Sequence, residues 1–201
     1  MKKKEIIVET LMQLRQAMEN ECSETIIVKG MIDCSGFALW LEPRQKLIGY
    51  NRNSGLIFRF VEQARTVFTL RECCGLENLK IRVIARKYPN KEAMQGAIVA
   101  NGYRSYLKNV FLDICITDTT VESCKQYSGL YIRNELHFIE RIHIRSKGHY
   151  VVPIADFPLS SSRIVGESTR LILEGGRFAT GFFLDLSGDK NVIQIKGAAA
   201  E

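Results

Sequence analysis

The chain is short of the residues that most enzyme chemistry uses. It holds three histidines, one tryptophan and four prolines in 201 residues. None of its six cysteines (Cys22, Cys34, Cys73, Cys74, Cys115 and Cys124) forms a CxxC pair, and no histidine falls at zinc-finger spacing from them. There is no HExxH pair, no Gly-x-Ser-x-Gly elbow and no phosphate-binding P-loop. No apolar run reaches the length needed to span a bilayer. The basic head Lys2-Lys3-Lys4 leads into only three apolar residues, too few for a secretory signal. These absences favour a non-catalytic module over an enzyme, with no metal, cofactor or membrane span. They predict a cytoplasmic protein whose thiols stay reduced.

What is present is a basic, strand-rich pattern. Lys and Arg number 28 against 22 Asp and Glu, a formal charge of +6. That balance tilts partners toward anions. Hydrophobic residues make up 46%, enough for a folded core. Ile7, Leu11, Leu14 and Met18 step by four, three and four, which predicts an amphipathic helix over residues 5–20. From Thr25 onward the period shortens. Runs of apolar and β-branched residues alternate with Gly, Asn and Pro punctuation, which predicts a meander of short strands. Asn90 is placed to cap a short helix through Ala100. Gly175-Gly176 and Ser187-Gly188-Asp189 read as hairpin turns.

The resulting expectation is an α+β fold, mostly antiparallel β and barrel- or sandwich-like, with an N-terminal amphipathic helix. Residues 1–86 form the helix and a β-meander, 103–196 a C-terminal β-rich domain, and 87–102 a connecting segment. Phe111-Leu112-Asp113-Ile114 echoes Phe183-Leu184-Asp185-Leu186, as two related barrels would.

The most informative run is Leu136 to Arg145. As a single strand it sorts Leu136, Phe138, Ile142 and Ile144 to one face, with Glu140 the exception, and His137, Arg141, His143 and Arg145 to the other, with Ile139 the exception. Two guanidiniums on one strand face suit a phosphate, which they can grip bidentately. Arg141, Arg145, His143, His137, Arg133 and Lys147 are therefore the candidate ligand-binding residues. Tyr131 and Tyr150 are available for base stacking. The three histidines His137, His143 and His149 are spaced roughly 20 Å apart on a regular strand, too far for shared metal ligation. The expected partner is an anionic ligand, a nucleotide or nucleic acid. A homo-oligomer assembled through the N-terminal helix and sheet edges is the alternative.

Arg141-x-x-x-Arg145, with Asp185-Leu-Ser187 further on, resembles the PilZ family of cyclic di-GMP-binding β-barrels. That family joins Arg-x-x-x-Arg to Asp/Asn-x-Ser-x-x-Gly, and here Lys190 stands in place of the Gly. A second fit pairs Arg82-x-x-x-Arg86 with Asp113-Ile-Cys115, with Cys in place of Ser and Asp118 in place of Gly. The resemblance implies a cyclic dinucleotide held by the paired arginines.

Overall fold

A computed structural model describes residues 5–20, 25–87, 95–117, 127–132, 136–147, 151–156, 163–166, 170–174, 183–186 and 192–196. The chain opens with β1 (Glu5–Val8) and α1 (Leu11–Glu19), then winds as a coil of short strands. The first turn of the coil is β2 (Thr25–Val28), β3 (Met31–Asp33) and β4 (Leu39–Leu41). The second is β5 (Lys46–Gly49), β6 (Gly55–Gln63) and β7 (Phe68–Leu70). The third is β8 (Gly75–Glu77), β9 (Lys80–Lys87) and β10 (Gln95–Ala100). The fourth is β11 (Ser105–Lys108), β12 (Val110–Ile116) and β13 (Tyr127–Ile132). The fifth is β14 (Leu136–Ile139), β15 (Arg141–Lys147) and β16 (Val151–Asp156). Then follow β17 (Arg163–Gly166) with β18 (Arg170–Glu174), and β19 (Phe183–Leu186) with β20 (Val192–Lys196).

Each strand pairs with its counterpart one turn earlier and one turn later. The result is three sheets: A, of order β1-β2-β5-β8-β11-β14-β17-β19; B, of order β20-β18-β15-β12-β9-β6-β3; and C, of order β16-β13-β10-β7-β4. Every recorded pairing is parallel, from β1 with β2 to β18 with β20. This is a three-walled parallel β-solenoid, and it corrects the antiparallel barrel or sandwich expected from sequence. No closed barrel is formed among the described residues. Parallel strands need a long crossover between them, and here the other two walls of each turn provide it. The strand β16 pairs with β13 in sheet C and not with its sequence neighbour β15. The helix expected after Asn90 gives way to a strand from Gln95, because β10 is drawn into sheet C between β7 and β13.

Inward side chains stack in columns of like residues. Ile32, Leu56, Ile81, Leu112 and Ile144 follow one another in register on sheet B, each at most 2% exposed. Ile26, Leu47, Leu76 and Leu107 do so on sheet A, and Leu39, Phe68, Ile98 and Leu130 on sheet C. A side chain that sits directly above its own kind fills equal volume at every level, so the core packs without voids. The corners are made by residues with positive φ. Asn78 and Asn109 turn sheet A into sheet B at φ 52° each, and the Asn109 amide donates to Asn78 Oδ1 at 2.9 Å. Arg44, Cys73 and Arg104 turn into sheet A at φ 72°, 58° and 58°.

The helix read from sequence spans Leu11–Glu19, and the residues just before it are a strand instead. Thr10 ends the strand-like stretch because its hydroxyl accepts from the Gln13 amide at 3.3 Å while Gln13 Oε1 accepts from Thr10 N at 3.2 Å. Leu14, Ala17 and Met18 are buried in the solenoid core. Gln45 Nε2 donates to the Met18 carbonyl at 3.1 Å, tying the helix end to the second turn. Leu14 and Met18 of the apolar stripe are therefore used within the chain, as the cap of its first turn, while Ile7 lies on β1 and is exposed. Among the described residues no helix is long and apolar enough to cross a membrane.

Adjacent turns approach too closely for extra atoms at certain glycines. A Cβ at Gly55 would lie 2.1 Å from the Lys80 carbonyl oxygen one turn on. Gly55→Ala is expected to destabilise by about 3 kcal/mol or more, read from the urea midpoint at an unchanged m-value. Gly30, at φ +79° with nothing within 4 Å, should cost only about 1–2 kcal/mol as Ala. Equal effects at the two positions would contradict the stacking.

Candidate functional site: the outer wall of sheet B

Charge is divided unequally among the three walls. The strands of sheet A carry Lys46, Lys108 and Arg163 against Glu5, Glu77 and Asp185. Those of sheet C carry Asp156 alone. Sheet B carries ten Lys and Arg against four acids, Asp33, Glu62, Asp113 and Glu174. The excess on this wall equals the +6 of the whole chain. Its centre is the most basic part: β9, β12 and β15 hold Lys80, Arg82, Arg86, Lys87, Arg141, Arg145 and Lys147 against Asp113.

The alternation of each strand selects these residues for the outside. On β9, Ile81, Val83 and Ala85 are buried and Lys80, Arg82 and Arg86 exposed. On β15, Ile142 and Ile144 are fully buried, while Arg141 is exposed and His143 and Arg145 partly so. Register then brings the two strands' charges together across β12. Asp113 pairs with Arg82 on one side and Arg145 on the other. Its carboxylate receives Arg145 Nε at 2.9 Å and lies 3.3 Å from Arg82 Nε. One largely buried carboxylate thus orients two half-exposed guanidiniums and leaves the trio positive. Beside it, the His143 ring meets Phe111 edge-on at 4.8 Å between centroids, and the Arg145 guanidinium lies 5.4 Å over the Phe111 ring. One cation and two aromatic rings thus pack together on this wall, with the His143 Nε2 buried. At the wall's edge, Asp33 is held below the usual carboxylate range, mainly by the Ser35 hydroxyl and amide and also by Arg59.

The run Leu136–Arg145 is not one strand. The chain bends at Glu140, so β14 belongs to sheet A and β15 to sheet B. Arg141, His143, Arg145 and Lys147 stay together on β15, but His137 falls on a different wall. Arg133 lies outside the described residues, as does Tyr150. Tyr131 is 4% exposed on β13 and has no free face for stacking. Arg82 and Arg86, known from sequence only as a second Arg-x-x-x-Arg pair, share the wall with Arg141 and Arg145. Asp185 lies on β19 in sheet A, apart from the arginine pair it was joined to, and Ser187 is outside the described residues. Lys80 and Lys87 were missed. The spacing of the corner residues Asn78 and Asn109, about 31 residues, would have aligned β9 with β12 and revealed the shared wall. The echo between Phe111 and Phe183 does not mark the repeat, since β12 and β19 belong to different sheets.

The cysteines serve the coil. Cys73 is a corner residue, and the buried Cys74 thiol donates to the Glu42 carbonyl at 3.1 Å. Burial pushes Cys74 up to about 11 and, with a smaller effect from Asp33, Cys34 up to about 12. No protein-family model, curated protein or solved structure matches the chain.

Two expectations follow. At pH 8 Cys34 and Cys74 should resist an aromatic disulfide reagent until the protein unfolds. The unfolded thiols ionise near pH 9 while the native ones stay protonated, so the native state binds more protons there and stability falls as pH rises above about 9. Denaturant midpoints from pH 7 to 10.5 measure this, and a flat profile contradicts it. Separately, Asp113→Ala should cost about 1–3 kcal/mol by leaving two guanidiniums without their shared acceptor. An unchanged melting midpoint would show that Asp113 does not hold them.

Proposed function

We propose that the protein is a non-catalytic module that binds a phosphate-bearing polyanion, a nucleic-acid strand, along the outer wall of sheet B. The observation that carries this reading is the concentration of ten Lys and Arg against four acids on the strands of one wall. The strands of the other two walls together carry three cations against four acids, and like charges stacked on neighbouring strands repel one another. The repulsion is offset when an anion supplies the missing charge.

An extended ligand fits better than a compact one. Strands in the sheet are roughly 4.8 Å apart and alternate residues along a strand roughly 6.6 Å apart. The cations of β9 and β15 thus spread over a strip wider than one phosphate. Arg86 and Arg141 mark its opposite ends. Phe111 and His143 add aromatic surface between them, the mixture of charge and stacking that serves single-stranded nucleic acid. A single cyclic dinucleotide, the narrower reading from the paired arginines, would use only part of the strip. Reduced thiols at Cys34 and Cys74 fit a cytoplasmic setting for this activity.

Fluorescence anisotropy with labelled single-stranded and duplex oligonucleotides tests the proposal. Binding at low salt is expected, with log K falling against log salt at a slope of roughly −3 to −5 for four to seven phosphates contacted. Arg86→Ala with Arg141→Ala should reduce the slope's magnitude by about 1.4 without altering the melting midpoint. Flat anisotropy for every oligonucleotide at low salt would overturn it.

A further inference from the structure

The capped end of the solenoid bears a second surface, centred on α1 and β4 and reaching β6 of sheet B. Trp40, the chain's one tryptophan, is 57% exposed on β4, and Phe37 is 40% exposed at the corner before it. Two large aromatics open to solvent in one groove form a contiguous apolar patch of the kind that marks a binding site. Both line an open-sided groove of about 290 Å³ between β4 and α1, together with Arg15, Glu19 and Glu42. Its parts are held in place. Arg15 lies 5.1 Å over the Phe37 ring, and Arg71 holds Glu42 at 2.7 Å. The groove meets a second one at Gly36, where Arg59, Phe60 and Gln63 continue the surface.

Charge decides the class of occupant. Arg15 lies 3.9 Å from Glu19, and Glu42 is neutralised by Arg71, so the groove has no net charge to attract an ion of either sign. What it offers is the exposed Trp40 indole, the Phe37 ring with Arg15 over one side, and three planar side chains with hydrogen-bonding capacity left over. The complementary ligand is uncharged, with a flat apolar face and a rim of paired hydroxyls. A pyranose ring has that form: its axial C–H groups lie against indole or phenyl, and its vicinal hydroxyls match guanidinium and carboxylate. The continuation past Gly36 suits several linked rings rather than one.

We infer that this groove binds a neutral oligosaccharide, with Trp40 and Phe37 as stacking platforms and Arg15, Glu19 and Glu42 as hydroxyl partners. The site is independent of the nucleic-acid proposal, and its reporter is built in. As the one tryptophan, Trp40 makes intrinsic emission a direct readout of occupancy. The full chain is titrated with cellohexaose, xylohexaose and mannohexaose, and in parallel with a hexauronate and a single-stranded oligonucleotide. At least one neutral hexasaccharide should give a saturable shift in emission that persists in about 0.5 M NaCl, where surface electrostatics are screened. Phe37→Ala, which leaves the reporter intact, should weaken that binding about tenfold or more with an unchanged circular dichroism spectrum. Should that variant misfold, Glu19→Ala, at an exposed helix position, is expected to weaken binding in the same direction. No emission change with any neutral sugar up to about 10 mM, a change with the charged probes alone, or full affinity in folded variants would each overturn the inference.

Discussion

Pairing of each strand with its counterpart one turn away is the constraint on which the structure rests. The parallel ladder sets the spacing between turns at the width of one strand, and every side chain then sits directly above and below another. A slip of one residue in any strand would turn its buried column outward. The register from Ile32 to Ile144 is thus held by the core as much as by backbone bonds. The same spacing explains why Gly55 has no room for a Cβ and why Tyr106, whose ring lies over Gly75, has that glycine beneath it. It also explains the corner residues, because a turn of one residue between walls repeats only where the backbone enters the left-handed region.

Stacking turns a linear charge pattern into a two-dimensional one. Residues more than thirty positions apart in the chain become neighbours about one strand width apart. Arg82, Asp113 and Arg145 show the consequence: an acid from one turn bridges arginines from the turns on either side. Taken strand by strand, no segment is extreme. Taken wall by wall, the strands of one face hold ten Lys and Arg against four acids, and those of the other two together three against four. The carboxylate of Asp113 is too little to neutralise that strip, but it fixes the orientation of two of its guanidiniums.

The N-terminal end solves a different problem. A solenoid exposes the edges of its first turn, which would pair with any free strand. Here β1 adds a strand to sheet A and α1 lays Leu14, Ala17 and Met18 on the core. The cap is incomplete along β4, where the groove with Phe37 and Trp40 remains open. Further along the outward column of sheet C, Val99 and Tyr131, which follow Trp40 and Thr69, are buried.

Local patterning in the sequence determined much of what is local in the structure. An N-terminal helix, though not its start at Leu11 or its Thr10 cap, the dominance of short strands, the burial of Ile142 and Ile144, and the outward direction of Arg141 and Arg145 were legible, because alternation and helical period depend on near neighbours only. Thiols without partner motifs were legible too, and Cys74 fills a corner. Direction of pairing was not. A short strand followed by an Asn or Gly turn looks alike whether the chain doubles back or goes round a corner, and the difference lies in a partner some thirty residues away. For the same reason the bend at Glu140, which separates His137 from His143, was hidden inside a run that alternates well on both sides of it. The gathering of Lys80, Arg82 and Arg86 beside Arg141 and Arg145, and the groove at Trp40, were decided by the winding of the coil. Register across turns and the seating of α1 are long-range packing outcomes, and no window along the chain contains both partners.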